Sequence, residues 1–149
     1  MTAQQDIERA LAESSADGCI VIAAEHTETN LRWAGNSLTT NGQMRSRSIT
    51  VISTFDGEAG TSAGVVTRSI TNPEELTELV HAAEQAGRAA GPSEDAAPLV
   101  ANYPNTDDWD GEPAETGVEV FDQFAPALGT AFARWAKQDR LLYGFAEHQ

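Results

Sequence analysis

The stretch from Cys19 to Ile70 constrains the fold of this chain most, because it predicts consecutive β-strands. Its β-branched and aromatic residues come in short runs, and Asn41-Gly42 and Asp56-Gly57 lie between runs. Such dipeptides favour tight hairpin turns, and β-branched residues favour strands. We therefore predict an antiparallel meander over residues 19–70. Within it, the apolar run Cys19–Ala24 predicts a strand covered on both faces, and residues 25–29 predict a polar turn.

Helical patterns flank this predicted sheet near residues 3–15, 73–90 and 121–138. The first two patterns begin with capping boxes, formed by Thr2 with Gln5 and by Asn72 with Glu75. We therefore predict an α+β fold, in which helices cover an antiparallel β-sheet. The last residues, 141–146, predict one more strand. Because the sequence offers it no closing turn or partner, we expect the natural chain to continue.

Changes in composition divide the chain into three predicted regions. Residues 1–92 form an N-terminal α/β domain. Residues 93–116 are rich in Pro, Asp and Glu and predict an acidic linker or loop. Residues 117–149 predict a helix and a strand that either pack on the domain or lead into a C-terminal domain.

The charge of the chain excludes some classes of partner. It carries 23 Asp and Glu against 9 Lys and Arg, and its formal net charge is −14. Nucleic-acid binders need a basic face, and anionic membranes attract basic segments, so neither partner is expected. Cys19 is the only cysteine, which rules out an intrachain disulfide. The polar N-terminus lacks the pattern of a signal peptide, so a cytoplasmic location is the default expectation.

None of the sequence motifs supplies a complete set of catalytic residues. The string Gly60–Gly64 matches G-x-S-x-G around Ser62, but strand-like residues follow it where a nucleophile elbow needs a helix. Glycines that flank a hairpin explain it more simply. A second group, Glu78, His81 and Glu84, could supply part of a metal site, although a solvated helix face is the simpler explanation. The acidic run 107–112 fails the ligand order of a calcium loop. These features are typical of a binding or assembly domain.

Several local strings resemble the N-terminal domain of the TldD/PmbA family, and most closely its PmbA-type branch. They are Ala16–Ile22, Asn30–Gly42, Met44–Arg47, Asn72–Leu76 and Leu142–His148. The resemblance spans nearly the whole chain, and its motifs are structural rather than catalytic. Family members include the so-called modulators of DNA gyrase and are associated with zinc-dependent proteolysis of unfolded proteins or small peptides.

This resemblance implies a role outside the catalytic centre. TldD-type members carry an HExxxH zinc motif beyond the N-terminal domain, whereas PmbA-type subunits lack it and pair with the zinc-bearing subunit. No part of this chain matches the motif, so no catalytic or metal-binding residue is assigned. We expect the isolated chain to have no peptidase activity and no stoichiometric zinc. The implied partners are a TldD/PmbA-type subunit, in a homo- or heterodimer, and a peptide substrate.

Two functions follow from the sequence. The favoured one is a non-catalytic domain that pairs subunits and shapes the substrate cleft of a metallopeptidase. The alternative is a self-contained acidic protein-binding module, whose acidic loop offers an aromatic anchor to a basic partner. The candidate interaction surface comprises Arg32, Trp33, Asn36, Arg45, Arg47 and, for the alternative, Trp109.

Overall fold

Four strands form one open antiparallel sheet in the computed structural model, which describes residues 2–70, 72–100, 109 and 111–149. The elements, in chain order, are α1 (Ala3–Glu13), β1 (Gly18–Ala34), β2 (Ser37–Gly57), β3 (Gly60–Arg68), α2 (Pro73–Ala89), a 3-10 helix (Val118–Phe121), α3 (Phe124–Ala136) and β4 (Gly144–His148). The strands lie in the order β3-β2-β1-β4. The predicted α+β fold is confirmed.

The strand predicted at the end of the chain is present as β4, and it pairs with β1. Thr29–Trp33 of β1 runs antiparallel to β4, with Leu31 opposite Ala146. The expectation that this strand lacks a partner is therefore wrong. Its partner lies near the other end of the sequence, where no local pattern could reveal it.

The turn between β1 and β2 falls at Gly35-Asn36, the dipeptide that interrupts the strand-like residues 30–34 and 37–40 in the sequence, whereas the turns predicted at residues 25–29 and at Asn41-Gly42 are absent. Gly35 has φ +59° and Asn36 has φ +63°, the left-handed values that both central residues of a type I′ turn require. Residues 25–29 continue β1, and Asn41-Gly42 lies inside β2. Both of those predicted turns are wrong, and the result is a pair of long strands.

The described chain divides into two compact units, and each unit combines two segments of sequence. Unit 1 contains Met1–Glu25 and Arg47–Gly111, and unit 2 contains His26–Ser46 and Glu112–Gln149. The long strands β1 and β2 each contribute residues to both units. The three regions predicted from composition, residues 1–92, 93–116 and 117–149, stay a prediction.

The core of unit 1 lies between its two helices and one face of the sheet. The fully buried apolar residues are Ala10, Ile49, Val51, Leu76, Leu79, Val80 and Ala83. Both predicted capping boxes are present. Thr2 Oγ1 accepts a hydrogen bond from the Gln5 amide at 3.2 Å, and Asn72 Oδ1 accepts from the Glu75 amide at 3.1 Å. These caps fix where α1 and α2 begin.

Helix α2 lies against β3 at a point where glycines allow close approach. A Cβ on Gly64 would overlap the backbone atoms Ala83 O and Gly87 N. Beside this contact, Ser62 Oγ donates a hydrogen bond to Gly87 O at 2.8 Å. The G-x-S-x-G string is thus a contact between a strand and a helix, and the Ser62 hydroxyl binds helix backbone.

Helix α1 ends on a buried carboxylate that α2 supplies. Glu84 Oε1 accepts a hydrogen bond from the Ser15 amide at 2.6 Å, and Oε2 accepts from the Ser15 hydroxyl at 2.9 Å. Burial by itself raises the pKa of Glu84, but these hydrogen bonds and the charges of Arg88 and His81 hold the pKa below its usual value. The solvated position expected for Glu84 is therefore wrong.

We expect the stabilising contribution of Glu84 to disappear in acid. Its pKa is lower in the folded protein than the unfolded value of 4.5, so the contribution is complete above that value and is lost as the pH falls through the folded pKa. Glu84→Gln should lower the free energy of unfolding by about 1–2 kcal/mol at neutral pH. In urea titrations, the deficit should shrink toward about pH 3.

Glu78→Gln is the matched control for Glu84→Gln, because Glu78 is an exposed residue of the same helix. It should change the free energy of unfolding by less than about 0.5 kcal/mol at either pH. A deficit for Glu84→Gln that stays constant from neutral pH to acid would contradict the assignment.

Unit 2 has a smaller core, built around the end of β1 and around α3. Its buried apolar residues are Leu31, Phe121 and Leu128. The rings of Trp33 and Phe124 pack with centroids 5.9 Å apart, tilted by 54°. A Cβ at Gly144 would overlap the Trp33 indole, so β4 passes this ring at a residue without a side chain.

Candidate interaction surface

Arg32 and Trp33 point to opposite faces of β1, as the alternation of the strand predicts. Arg32 is exposed, and its guanidinium lies 5.1 Å from the ring centroid of Phe145, its partner residue on β4. Trp33 is half-buried against Phe124. Of this pair, Arg32 is the one available to a partner.

Asn36 and Arg45 also belong to unit 2, and they make different kinds of contact. Asn36 Nδ2 donates to Arg140 O at 2.8 Å, and Asn36 Oδ1 accepts from the Leu142 amide at 2.7 Å. This side chain therefore ties the β1–β2 turn to the segment that precedes β4. Arg45 is an exposed residue whose guanidinium pairs with Glu115 at 2.8 Å.

Arg47, in unit 1, is the centre of a largely buried ion-pair network. Its Nη1 lies 2.8 Å from Asp6 Oδ2, and its Nε donates to Glu25 Oε1 at 2.6 Å. Asp6 is only 3% exposed, and its Oδ1 is buried without a hydrogen-bond partner in the described structure. Sequence reasoning placed Arg47 on a surface, whereas these contacts are internal to unit 1.

Trp109 lies against α1 in unit 1 and keeps 42% of its surface exposed. Gln4 Nε2 donates to Trp109 O at 3.0 Å, and the indole Nε1 lies 3.5 Å from Glu8 Oε1. Its acidic neighbours Asp107, Asp108 and Asp110 lie outside the described residues. A basic partner for this loop stays a prediction.

Neither a metal-binding cluster nor a membrane-spanning helix occurs among the described residues. No three His, Cys, Asp or Glu side chains gather there in an arrangement that could hold a metal ion. None of the helices in that part of the chain is long and apolar enough to cross a membrane. His148 Nδ1 shares a 2.7 Å hydrogen bond with the buried Thr116 hydroxyl, and His26 lies 3.7 Å from Glu28.

One face of the sheet in unit 1 is apolar and is left largely uncovered by the described residues, although the sequence predicted that β1 would be covered on both faces. Cys19, Val21 and Ala23 pack against the core, whereas Ile22, on the opposite face, is 52% exposed. The prediction is wrong because a continuous apolar run does not show which of its alternate residues find a partner.

Apolar residues of three strands line up across this open face. Val65 of β3 is opposite Ile52 of β2. Gly18 of β1 accepts a hydrogen bond from the Thr54 hydroxyl of β2, and a Cβ on Gly18 would overlap that hydroxyl. Because side chains alternate along a strand, Ile20 and Ile52 lie on the same side of the sheet as these two residues. Ile20, Ile52 and Val65 therefore share one face of the three strands.

We call this surface of unit 1 the outer face. Its residues are Gly18, Ile20, Ile22, Ala24, Ser48, Thr50, Ile52, Thr54, Ala63, Val65 and Thr67. None of these eleven residues is charged, although 21% of the residues of the chain are, and the next residue of β2 on this side of the sheet is Asp56, opposite Thr61. Single exposed apolar residues are ordinary, but a contiguous uncharged patch is typical of a protein interaction site.

A cleft of about 300 Å³ borders the outer face, between the sheet and residues 96–99. Its carboxylates already have partners within the fold. Asp17 accepts a hydrogen bond from the Asp56 amide at 2.9 Å, and Asp56 accepts one from the Thr61 hydroxyl at 2.7 Å. The outer face is therefore the better candidate for a partner.

No protein-family model and no curated protein matches the sequence. Among solved structures, TldE from Thermococcus kodakarensis is similar to this chain, with a TM-score of 0.53 and 12% sequence identity. The likeness is one of fold. It covers 97% of this chain and agrees with the resemblance to the TldD/PmbA family that the sequence indicates. The PmbA-type branch stays a prediction.

The similar region is only part of TldE. This chain covers 37% of the length of that protein. The function of a whole protein such as TldE is therefore extended to this chain only as a proposal.

Proposed function

We propose that this chain is a non-catalytic domain of a TldD/PmbA-type metallopeptidase assembly, where it pairs subunits and shapes the substrate cleft. The observation that carries the proposal is the likeness to the TldE fold over 97% of the chain. In this proposal, the zinc chemistry belongs to a different domain or to the partner subunit. The substrates are peptides or unfolded proteins.

The outer face supplies the pairing surface in this proposal. Its exposed isoleucine and valine side chains can be buried against another subunit, which stabilises the pair by about 25 cal/mol for each Å² of apolar surface removed from water. The eleven residues of the outer face carry no charge, so their burial desolvates no ionised group and little of that gain is offset. The partner is a second TldD/PmbA-type subunit.

The test is co-expression with a zinc-bearing TldD-type subunit. We expect a complex of defined mass by light scattering and chelator-sensitive cleavage of an unfolded protein substrate. Replacing Ile22 and Val65 together with lysine should weaken the complex by about tenfold or more, because it places charges in the apolar interface. The cleavage activity should fall with the amount of complex.

Leu11→Lys is the matched control, because Leu11 is an exposed apolar residue of unit 1 that lies on α1, away from the strands. It should leave the complex intact. A folded Ile22→Lys, Val65→Lys variant that still forms the complex would remove the outer face from the proposal. Absence of both complex and activity with wild-type protein would remove the proposed function itself.

A further inference from the structure

The cations of this acidic chain differ in how they are neutralised. Four of the nine form ion pairs with carboxylates: Arg9, Arg45, Arg47 and Arg68. A fifth, Arg88, lies over the Phe55 ring and close enough to Glu84 to lower the pKa of that carboxyl. The other four have no ion pair with any described carboxylate, and all belong to unit 2: Arg32, Arg134, Lys137 and Arg140.

Two of these four cations lie over one tryptophan at the end of α3, and a third, Lys137, follows that tryptophan by two residues. The guanidinium carbons of Arg134 and Arg140 lie 5.4 and 5.0 Å from the ring centroid of Trp135. Both arginines and Lys137 are exposed, and Trp135 is half-buried. We call Arg134, Trp135, Lys137 and Arg140 the α3 basic patch.

The reversal of the chain after α3 returns Arg140 to Trp135. Asp139 has φ +54°, its amide donates to Ala136 O at 3.2 Å, and the Arg140 amide donates to Trp135 O at 3.0 Å. This is the hydrogen-bond pattern of a Schellman motif. Backbone amides thus satisfy these carbonyl groups, so the cationic side chains are not needed to cap them.

We propose that the α3 basic patch binds a short acidic segment of a partner protein. Two guanidinium groups that rest on one indole lose little freedom on binding, and each keeps N–H donors for a carboxylate. The inference does not rest on the proposed peptidase assembly, since it uses only residues at the end of α3.

The charge of the whole chain selects a short ligand. With a net charge of −14, the rest of the surface repels a long polyanion or an extended anionic membrane. A short acidic segment senses mainly the charges within a Debye length of about 8 Å at physiological salt. A few carboxylates therefore suit this patch better than nucleic acid or lipid.

A substitution at Asp139 is expected to increase the affinity for an acidic ligand, which provides a second test. Its carboxylate belongs to the same reversal of the chain and opposes an acidic ligand. Asparagine tolerates the left-handed conformation of this position, so Asp139→Asn removes the charge without straining the backbone. The variant should bind an acidic peptide about threefold more tightly.

The experiment measures fluorescence anisotropy of a labelled peptide, Gly-Glu-Glu-Asp-Glu-Glu, with the full chain. Wild-type protein should bind it, and binding should weaken from about 50 to 300 mM salt. Arg134→Gln with Arg140→Gln should lower the affinity about tenfold or more. The matched control is Arg45→Gln with Arg68→Gln, which removes two exposed cations elsewhere and should leave the affinity unchanged.

Several results would overturn the inference. These are no binding to wild-type protein, equal losses in the two double variants, or tighter binding of single-stranded DNA or phosphatidylserine vesicles than of the peptide. The wild-type chain could also self-associate through this patch while the Arg134→Gln, Arg140→Gln variant does not. That result would overturn the inference, because the acidic segment would then belong to a second copy of this chain. If that variant does not fold, as judged by circular dichroism, the affinity of Asp139→Asn decides the question.

Discussion

Replacing Gly64 with alanine is expected to lower the free energy of unfolding by about 3 kcal/mol. The new methyl group would overlap Ala83 O and Gly87 N, which are backbone atoms of α2. Backbone atoms of a packed helix cannot rotate away as a flexible side chain would, so α2 must move off β3. The helix carries much of the unit 1 core, including the fully buried Leu76 and Leu79, and that core would loosen with it.

Urea unfolding followed by circular dichroism measures this loss, and Gly129→Ala is the control. Gly129 lies in α3, where an added Cβ would project into open space, so alanine there should stabilise the protein by up to about 1 kcal/mol through helix propensity. The two glycine-to-alanine changes should therefore have opposite signs. A Gly64→Ala protein as stable as wild type would contradict the close approach of α2 and β3.

Replacing Arg47 with methionine is expected to lower the free energy of unfolding by about 3 kcal/mol or more. Methionine keeps most of the aliphatic length but removes the charge that Asp6 and Glu25 face. Asp6 would then be a buried carboxylate without a cation, and one of its oxygens already lacks a hydrogen-bond partner in the described structure. An unpaired buried charge costs far more than an exposed one.

Arg45→Met is the matched control. Arg45 lies two residues before Arg47 on the same strand, and it forms an exposed ion pair with Glu115. Exposed ion pairs contribute less than about 1 kcal/mol, so this change should be mild. Adding Asp6→Asn to Arg47→Met should restore at least about 1 kcal/mol, because it removes one of the unpaired carboxylates. Equal losses for Arg45→Met and Arg47→Met would contradict the buried network.

Much of the fold was predictable because its signals are local. The capping boxes of α1 and α2 depend on residues three positions apart, and both are present. The stripe of α2 that contains Leu76, Leu79 and Ala83 follows from helical spacing, and all three residues are buried. The alternation of Leu31 and Arg32 in β1 follows from the pleat of a strand. None of these predictions required knowledge of a distant residue.

The errors concern features that distant partners decide. Asn41-Gly42 has the composition of a turn, but Gly42 faces Asn30 across the sheet, where an added Cβ would lie 3.1 Å from Asn30 Oδ1. Glu84 has the charge and spacing expected of a solvated helix face, but its carboxylate accepts a hydrogen bond from the Ser15 amide after the end of α1. The environment of Arg47, a residue of the predicted interaction surface, also depends on a distant partner, since nothing local reveals that Asp6 lies opposite it.

The sequence by itself determined the α+β class, the helices, the presence of a terminal strand and the resemblance to the TldD/PmbA family. Those features depend on short-range periodicity, caps and local strings. Only the tertiary structure decided which face of β1 is open, which cations are neutralised and that β4 pairs with β1. The physical reason is that burial and ion pairing depend on residues brought together from distant parts of the chain. The stretch from Cys19 to Ile70 specifies strands, and the elements packed on them determine which of its side chains remain available for a partner.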